Sequence, residues 1–187
     1  MEAVLPERCE IAHWRARDGQ TLRVRPIRPD DADLIRWGLD QLSPTSLYQR
    51  FFSRSPRVPD AVVKRLSEPI PGREFAIIVL RSEAGGEAPV GGGRFVANED
   101  GSGCEFSVTV GDDWQRQGLG RRILSLLIRE ARQRGLPRME GYVLNDNIVM
   151  TGLVLSLGFR IEPAEPGDNF RRVVLDLRRR LSRWFAH

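Results

Sequence analysis

Apolar side chains recur along the chain with a period that switches between two and about 3.6 residues, and the switches fall at glycine, proline and aspartate clusters. Residues 11–16 and 21–27 read as strands flanking Arg17-Asp18-Gly19-Gln20, where the Asp-Gly pair favours a hairpin turn. Pro29-Asp30-Asp31 opens a helix to about residue 42, with acidic residues in the first turn, where the helix dipole favours them. Ser43 caps a second helix with Pro44 at its first position, running to about residue 52, and residues 59–67 form a short third one. Residues 75–81 are a continuous apolar run, which predicts a strand buried on both faces.

Residues 84–89, Ala-Gly-Gly-Glu-Ala-Pro, read as a loop, and 90–97 as the next strand. Gly91-Gly92-Gly93 inside that strand admits two readings: a flexible segment, or a strand approached closely by another backbone or a ligand. Residues 98–103 turn into a strand at 104–110. A helix is predicted over 118–134, ended by Gly135 with Pro137 beyond it. A strand over 139–144, a helix over 147–157 ended by Gly158, and a strand over 170–177 complete the chain. There is no internal repeat and no long linker, so the natural assembly is one α/β domain with helices on both faces of a mixed sheet.

Composition narrows the class. The 187 residues are enough for one domain with a full core. A hydrophobic fraction of 41% and a mean hydropathy of −0.34 read as globular, and no apolar run reaches the length of a membrane span. The start, MEAVLPERCE, has no basic segment followed by an apolar stretch, so no secretory signal is expected. Cys9 and Cys104 form neither a disulfide framework nor a metal-ligand spacing; Cys104, in a strand pattern, reads as a small buried apolar residue. The expected compartment is the cytoplasm, with no membrane and no metal.

The net charge of +4 raises the question of acidic partners. Lys64 is the one lysine among 29 basic residues, a skew that reflects coding composition more than function. Aromatic side chains are not interleaved with arginine as single-strand binding requires, so no specific nucleic acid is expected.

The chemistry concentrates in Asp113-Trp114-Gln115-Arg116-Gln117-Gly118-Leu119-Gly120-Arg121-Arg122, between a strand and a helix. Gly118 and Gly120 lack a Cβ, and the following helix presents its unpaired N–H groups and positive dipole end there. Arg116, Arg121 and Arg122 oppose that dipole, as if an anion is meant to arrive; phosphate or pyrophosphate fits. On the preceding strand Glu105 alternates with Ser107 and Thr109 on one face, while Cys104, Phe106, Val108 and Val110 take the other. A lone glutamate there is either a solvated edge residue or a base.

The element order, Gln115-Arg116-Gln117-Gly118-Leu119-Gly120, and a second block of Asn145-Asp146-Asn147, Met150, Leu153 and Leu157-Gly158-Phe159 resemble the GNAT superfamily of N-acetyltransferases. Arg25-Pro26-Ile27-Arg28-Pro29-Asp30-Asp31-Ala32, Leu42-Ser43-Pro44, Tyr48-Gln49-Arg50-Phe51-Phe52 and Cys104-Glu105-Phe106-Ser107-Val108 are similar to the acetyltransferase domain of bacterial protein lysine acetyltransferases. The resemblance covers about residues 20–178, leaving a hairpin extension at 1–20 and a basic tail at 179–187. It implies the GNAT fold, with a single mixed, mostly antiparallel sheet, and acetyl transfer from acetyl-CoA directly to an amine in a ternary complex.

On that resemblance the amides of Gln115, Arg116, Gln117, Gly118, Leu119, Gly120 and Arg121 would hold the coenzyme's pyrophosphate. The backbone of Val108 and Val110 would hold its pantetheine arm, and Glu105 would be the general base. Asn145 would either bond the coenzyme arm or cap the helix after it, and Tyr48 and Phe52 would wall the acceptor site or simply fill core. Many superfamily members carry a tyrosine four residues before the Gly-Phe glycine to protonate the leaving thiolate; Val154 stands there, so water is the expected donor. The acceptor is expected to be a protein lysine, with a small amine of polyamine or aminoglycoside type and a non-catalytic acetyl-CoA sensor as alternatives. His13 reads as a hairpin-surface residue.

Overall fold

The computed structural model describes residues 10–163 and 167–178. The terminal tail, Cys9 and His187 lie outside them. Strands β1 (Ala12–Arg15) and β2 (Thr21–Pro26) form the expected hairpin, with Ala12 opposite Val24. Helices α1 (Ala32–Asp40), α2 (Pro44–Phe51) and α3 (Asp60–Ser67) follow, then strands β3 (Glu74–Glu83), β4 (Gly86–Ala97) and β5 (Cys104–Val110). Helix α4 (Leu119–Gln133), β6 (Arg138–Leu144), α5 (Ile148–Ser156), the two-residue β7 (Arg160–Ile161) and β8 (Phe170–Asp176) complete the order.

The strands build one sheet in the order β1-β2-β3-β4-β5-β6-β8-β7, antiparallel except between β5 and β6. This is the GNAT fold. Helix α4 packs its apolar stripe of Ile123, Leu124, Leu127 and Ala131 on one face, over Val79, Phe95 and Met139. Helices α1–α3 cover the other face around Leu39, Leu42, Leu47 and Val63. Among the described residues no helix is long and apolar enough to cross a membrane.

Two local findings refine the sequence reading. The segment expected as a loop at 84–89 is mostly strand: β4 starts at Gly86, and only Ala84 and Gly85 turn. Pro89 is tolerated because the register slips between Val79 and Leu80, a bulge that relieves the ladder of one N–H. The glycine run in β4 answers its own question. A Cβ on Gly92 would lie 2.7 Å from the Ile77 carbonyl oxygen, and one on Gly93 would lie 2.5 Å from Ile123 Cγ2. The run therefore permits close approach of β3 and α4 rather than flexibility.

The α1–α3 layer is fixed to the sheet by buried charge. Arg25 donates to both carboxylate oxygens of Asp31, at 2.7 and 2.6 Å, and Asp31 also accepts from the Arg28 N–H. Both side chains are buried, so removing either leaves an uncompensated charge worth about 3–5 kcal/mol.

Candidate active site

Strands β5 and β6 run parallel but pair only at Cys104 with Met139 and Glu105 with Glu140. Beyond that point β5 stays with β4 as far as Val110, and β6 stays with β8 as far as Leu144. The parting opens a cleft of about 700 Å3, walled by α2, β5, β6 and α5. In an antiparallel ladder alternate residues turn their backbone groups away from the partner strand. Val110 does so, because its carbonyl accepts from Gln115 Nε2 at 3.2 Å, and Val108, two residues away, shares that orientation. Both line the cleft and leave an open backbone edge there.

The glycine loop closes one end of the cleft. Arg116 and Gly118 take left-handed backbone conformations, with φ of 56° and 84°. A Cβ on Gly118 would meet no atom within 4 Å, so its absence serves the backbone angle and leaves open space in front of the loop. The first bond back from α4 is Arg122 N–H to the Gly118 carbonyl, at 3.2 Å. The N–H groups of Leu119, Gly120 and Arg121 therefore have no intrahelical acceptor and make an anion cradle.

The side chains around the cradle do different work. Leu119 is a buried anchor in the core. Gly120 lets α4 start against β5 and α5, because a Cβ there would sit 3.4 Å from Leu153 and 3.7 Å from Val110. Gln117 donates to the Asp113 carbonyl, Arg121 to Ser156 Oγ at 2.6 Å, and Arg116 is exposed. Arg122 departs from the expectation that three arginines converge: its guanidinium donates to the Arg15 carbonyl at 2.9 Å, drawn to the β1–β2 hairpin by a free acceptor.

Glu105 sits where β5 and β6 part. It is exposed to the cleft, and its carboxylate has neither hydrogen bond nor ion pair among the described residues. Burial raises its pKa above the ordinary value and the neighbouring Glu140 adds to this, with Arg50 opposing. Glu140, its neighbour on β6, is instead held by Arg172 and Arg138 at 2.5 and 3.2 Å. Glu74 is also held, fully buried between Arg65 and Arg94. Of these three sheet glutamates, only Glu105 is left available for proton transfer. Cys104 beside it is no nucleophile: burial first and Glu140 second push its thiol up to about 12.

The acceptor wall differs in detail from expectation. Phe52 lines the cleft and stacks edge-to-face on Phe170 at 5.9 Å, and Tyr142 does the same from the far side at 5.5 Å. Tyr48 does not line it; its hydroxyl accepts from Asn169 and its ring lies under Arg54, at 5.2 Å. Asn145 donates to the Asp168 carbonyl and accepts from Arg171, both toward β8, while Asn147 caps α5 by accepting from Met150 N–H and lines the cleft. The capping role therefore falls to Asn147. Val154, at the superfamily's tyrosine position, is fully buried. His13 lies on the hairpin surface paired with Glu10.

Cleft-lining residues to which the sequence gave no site role include Ser46, Gln49 and Arg50 on α2, and Tyr142, Phe170 and Met150. The α2 set was legible as a polar stripe at helical spacing. Tyr142 and Phe170 come together only through the pairing of β6 with β8. Asp112 ties the two ends of the site: it accepts from Ser43 N–H, Ser43 Oγ and Ser46 Oγ, and Ser46 Oγ also accepts from Gln115.

A model of the acetyltransferase (GNAT) family matches residues 45–159. A Pseudomonas aeruginosa acetyltransferase is 30% identical over 159 residues, 84% of this chain and 85% of its own length. Acetyltransferase Pat of Mycolicibacterium smegmatis is 30% identical over 146 residues, 77% of this chain, but the chain spans only 43% of Pat. The crystal structure of the GNAT domain of S. lividans PAT superposes with a TM-score of 0.78 at 27% identity, covering 89% of this chain and 96% of that domain.

Proposed function

The chain belongs to the acetyltransferase (GNAT) family, and from that premise we propose that it acetylates lysine side chains of proteins, with Glu105 as general base. It is an acetyltransferase that uses acetyl-CoA as co-substrate. The observation that carries the finer reading is the unpaired Glu105 at the parting of β5 and β6, on the same strand whose far end meets the glycine loop.

The residues fit the coenzyme. The cradle of Leu119, Gly120 and Arg121 amides, with the space in front of Gly118, would hold a pyrophosphate, and the open edge at Val108 and Val110 would hold the arm. Acetyl-CoA supplies an acetyl group activated as a thioester.

What the protein adds is proton management and placement. A lysine ammonium of pKa ~10.4 must lose a proton at a cost of roughly 4–5 kcal/mol at pH 7. A carboxylate with a raised pKa, without a hydrogen bond or ion pair among the described residues and exposed in the cleft, is matched to receive it. No acid stands at Val154, and a departing thiolate of pKa ~8.5 takes its proton from water with little penalty. The acceptor is read as a protein because the cleft mouth carries exposed apolar side chains: Phe52 and Tyr142 are exposed, and Val149 at the start of α5 is 63% exposed.

The test is incubation of the purified protein with acetyl-CoA and a protein mixture, reading acetyl-lysine by mass spectrometry and thiol release in parallel. Acetyl-lysine that disappears with Glu105→Gln supports the reading. Acetyl-CoA binding with no thiol release on any protein or amine would leave a sensor in its place.

A further inference from the structure

Arg50, near the end of α2, is the basic residue lining the cleft, and the acetyl-transfer reading does not use it. It lines both the main cleft and a smaller hollow of about 110 Å3 beneath α1, so its guanidinium stands at the junction of the two. It is partly buried and makes no hydrogen bond or ion pair among the described residues; what holds it is the Phe51 ring, 4.8 Å away. The two buried arginines of this fold are paired: Arg25 with Asp31 and Arg94 with Glu74.

The surroundings make an unpaired cation costly. Desolvation, then repulsion from Arg94, pulls the Arg50 pKa down to about 10, with Glu105 opposing. Arg94 cannot share an incoming anion, since its charge is engaged by Glu74. Glu105 favours the Arg50 charge only electrostatically, with no ion pair or hydrogen bond between the two among the described residues. Ser107 and Thr109, hydroxyl-bearing residues on the Glu105 face of β5, line the same junction. One guanidinium fork with two hydroxyls suits a single carboxylate, which it can bond at both oxygens. A phosphate dianion would call for a second free cation.

We infer that Arg50 is a carboxylate subsite of the acceptor cleft, so the amine that reaches Glu105 carries a carboxylate beside it. The carboxylate comes from an acidic side chain next to the target lysine or from the α-carboxyl of a free amino acid. The inference rests on the acetyl-transfer reading and specifies the acceptor for the same site.

The test compares acceptors that differ only in that charge: lysine peptides with glutamate or glutamine next to the lysine, and free amino acids against their carboxamides. Whichever arm shows the preference identifies the source. The wild-type protein is expected to favour the carboxylate form by about tenfold or more in kcat/KM, mostly through KM, in line with a charged hydrogen-bonded pair. Arg50→Gln should abolish the preference and Arg50→Lys should restore part of it.

A melting temperature unchanged or raised in Arg50→Gln shows that the loss is not unfolding. Equal rates on both forms in the wild type, or a preference that survives Arg50→Gln, overturns the subsite while leaving acetyl transfer intact. If Arg50→Gln only moves the acidic limb of the pH profile, Arg50 serves Glu105 and the subsite is likewise overturned. If no amine is acetylated, the transfer reading fails and the subsite is judged by calorimetry. Peptides with norleucine for lysine must then bind the wild type more tightly in the glutamate form, and Arg50→Gln equally in both.

Discussion

The two ends of β5 are built from different materials. At its C-terminal end the proposed coenzyme cradle is one continuous stretch, residues 108–121, and its working parts are backbone: the open edge at Val108 and Val110, a left-handed Gly118 and the first amides of α4. At its N-terminal end the proposed acceptor wall gathers Arg50 from α2 and Phe52 just past its end, Glu105 from β5, Tyr142 from β6 and Phe170 from β8. That end works through side chains whose neighbours in space are far apart in sequence. A backbone site is conserved in its geometry by a few conformational requirements, so it can serve one invariant ligand. A side-chain site can be re-specified residue by residue, so it can serve a particular acceptor.

The largest effect expected from breaking this division is at Glu105. Glu105→Gln should lower kcat by ~10²-fold or more while leaving acetyl-CoA affinity near wild type, since the cradle lies elsewhere. Because burial and Glu140 raise the Glu105 pKa, the base is protonated over a wider acidic range than an ordinary glutamate. The acidic limb of the rate profile should therefore lie above the usual carboxylate range and vanish in the variant. A variant with full kcat and the same limb would transfer the proton step to water or to desolvation alone.

Gly118→Asp attacks the other end. It places a carboxylate on the anion cradle and forces a left-handed angle that costs an L-residue about 1–2 kcal/mol. Acetyl-CoA affinity should fall by more than about tenfold, measured by calorimetry. Gly118→Ala should lose less, because its Cβ meets nothing within 4 Å and only the strain remains. Unchanged affinity in both would remove the loop from the coenzyme site.

Asp112 is where the two ends touch, and Asp112→Ala should blur them. Losing the acceptor for Ser43 N–H, Ser43 Oγ and Ser46 Oγ frees α2 from the loop, so KM for coenzyme and acceptor should rise together by roughly two- to fivefold. Burial raises the Asp112 pKa, but the bonds from Ser43 and Ser46 outweigh it and the net shift is downward. A depressed carboxyl stabilises the fold above its unfolded pKa and loses that contribution as pH falls through the folded value. The joint should therefore loosen only below about pH 4. A change confined to one substrate would show that the ends are independent.

The smallest effect separates two aromatic residues of α2. Phe52→Ala should raise acceptor KM a few-fold with coenzyme affinity unchanged, whereas Tyr48→Ala, outside the cleft and bonded to Asn169, should act mainly on melting temperature. The reverse pattern in paired kinetic and thermal measurements would put Tyr48 back in the acceptor wall.

How much was readable without coordinates follows the same division. The hairpin at Asp18-Gly19, the Ser43-Pro44 helix start, the Gly135 and Gly158 helix ends and the strand–loop–helix at 104–134 all appear where the pattern placed them. Each depends on sterics or capping between residues close in sequence. Two of the misplacements show long-range causes. Pro89 reads as a loop residue until a bulge against β3 admits it to a strand, and Arg122 reads as a phosphate ligand until the Arg15 carbonyl, brought near by the hairpin, takes it.

The sequence by itself determined the α/β order, the buried faces and the backbone-built cradle, because φ, ψ and helix-end amides are set by local chemistry. Only the tertiary structure decided that β5 and β6 pair at two positions and then part, and that Asn147 rather than Asn145 faces the cleft. It alone left Glu105 and Arg50 without a hydrogen bond or ion pair among the described residues, while Glu74, Glu140 and Arg94 acquired theirs. The physical reason is that a side chain's partner, burial and charge state depend on which distant strand or helix lies against it. Which strand lies there is settled by the packing of the whole sheet and its two helical layers.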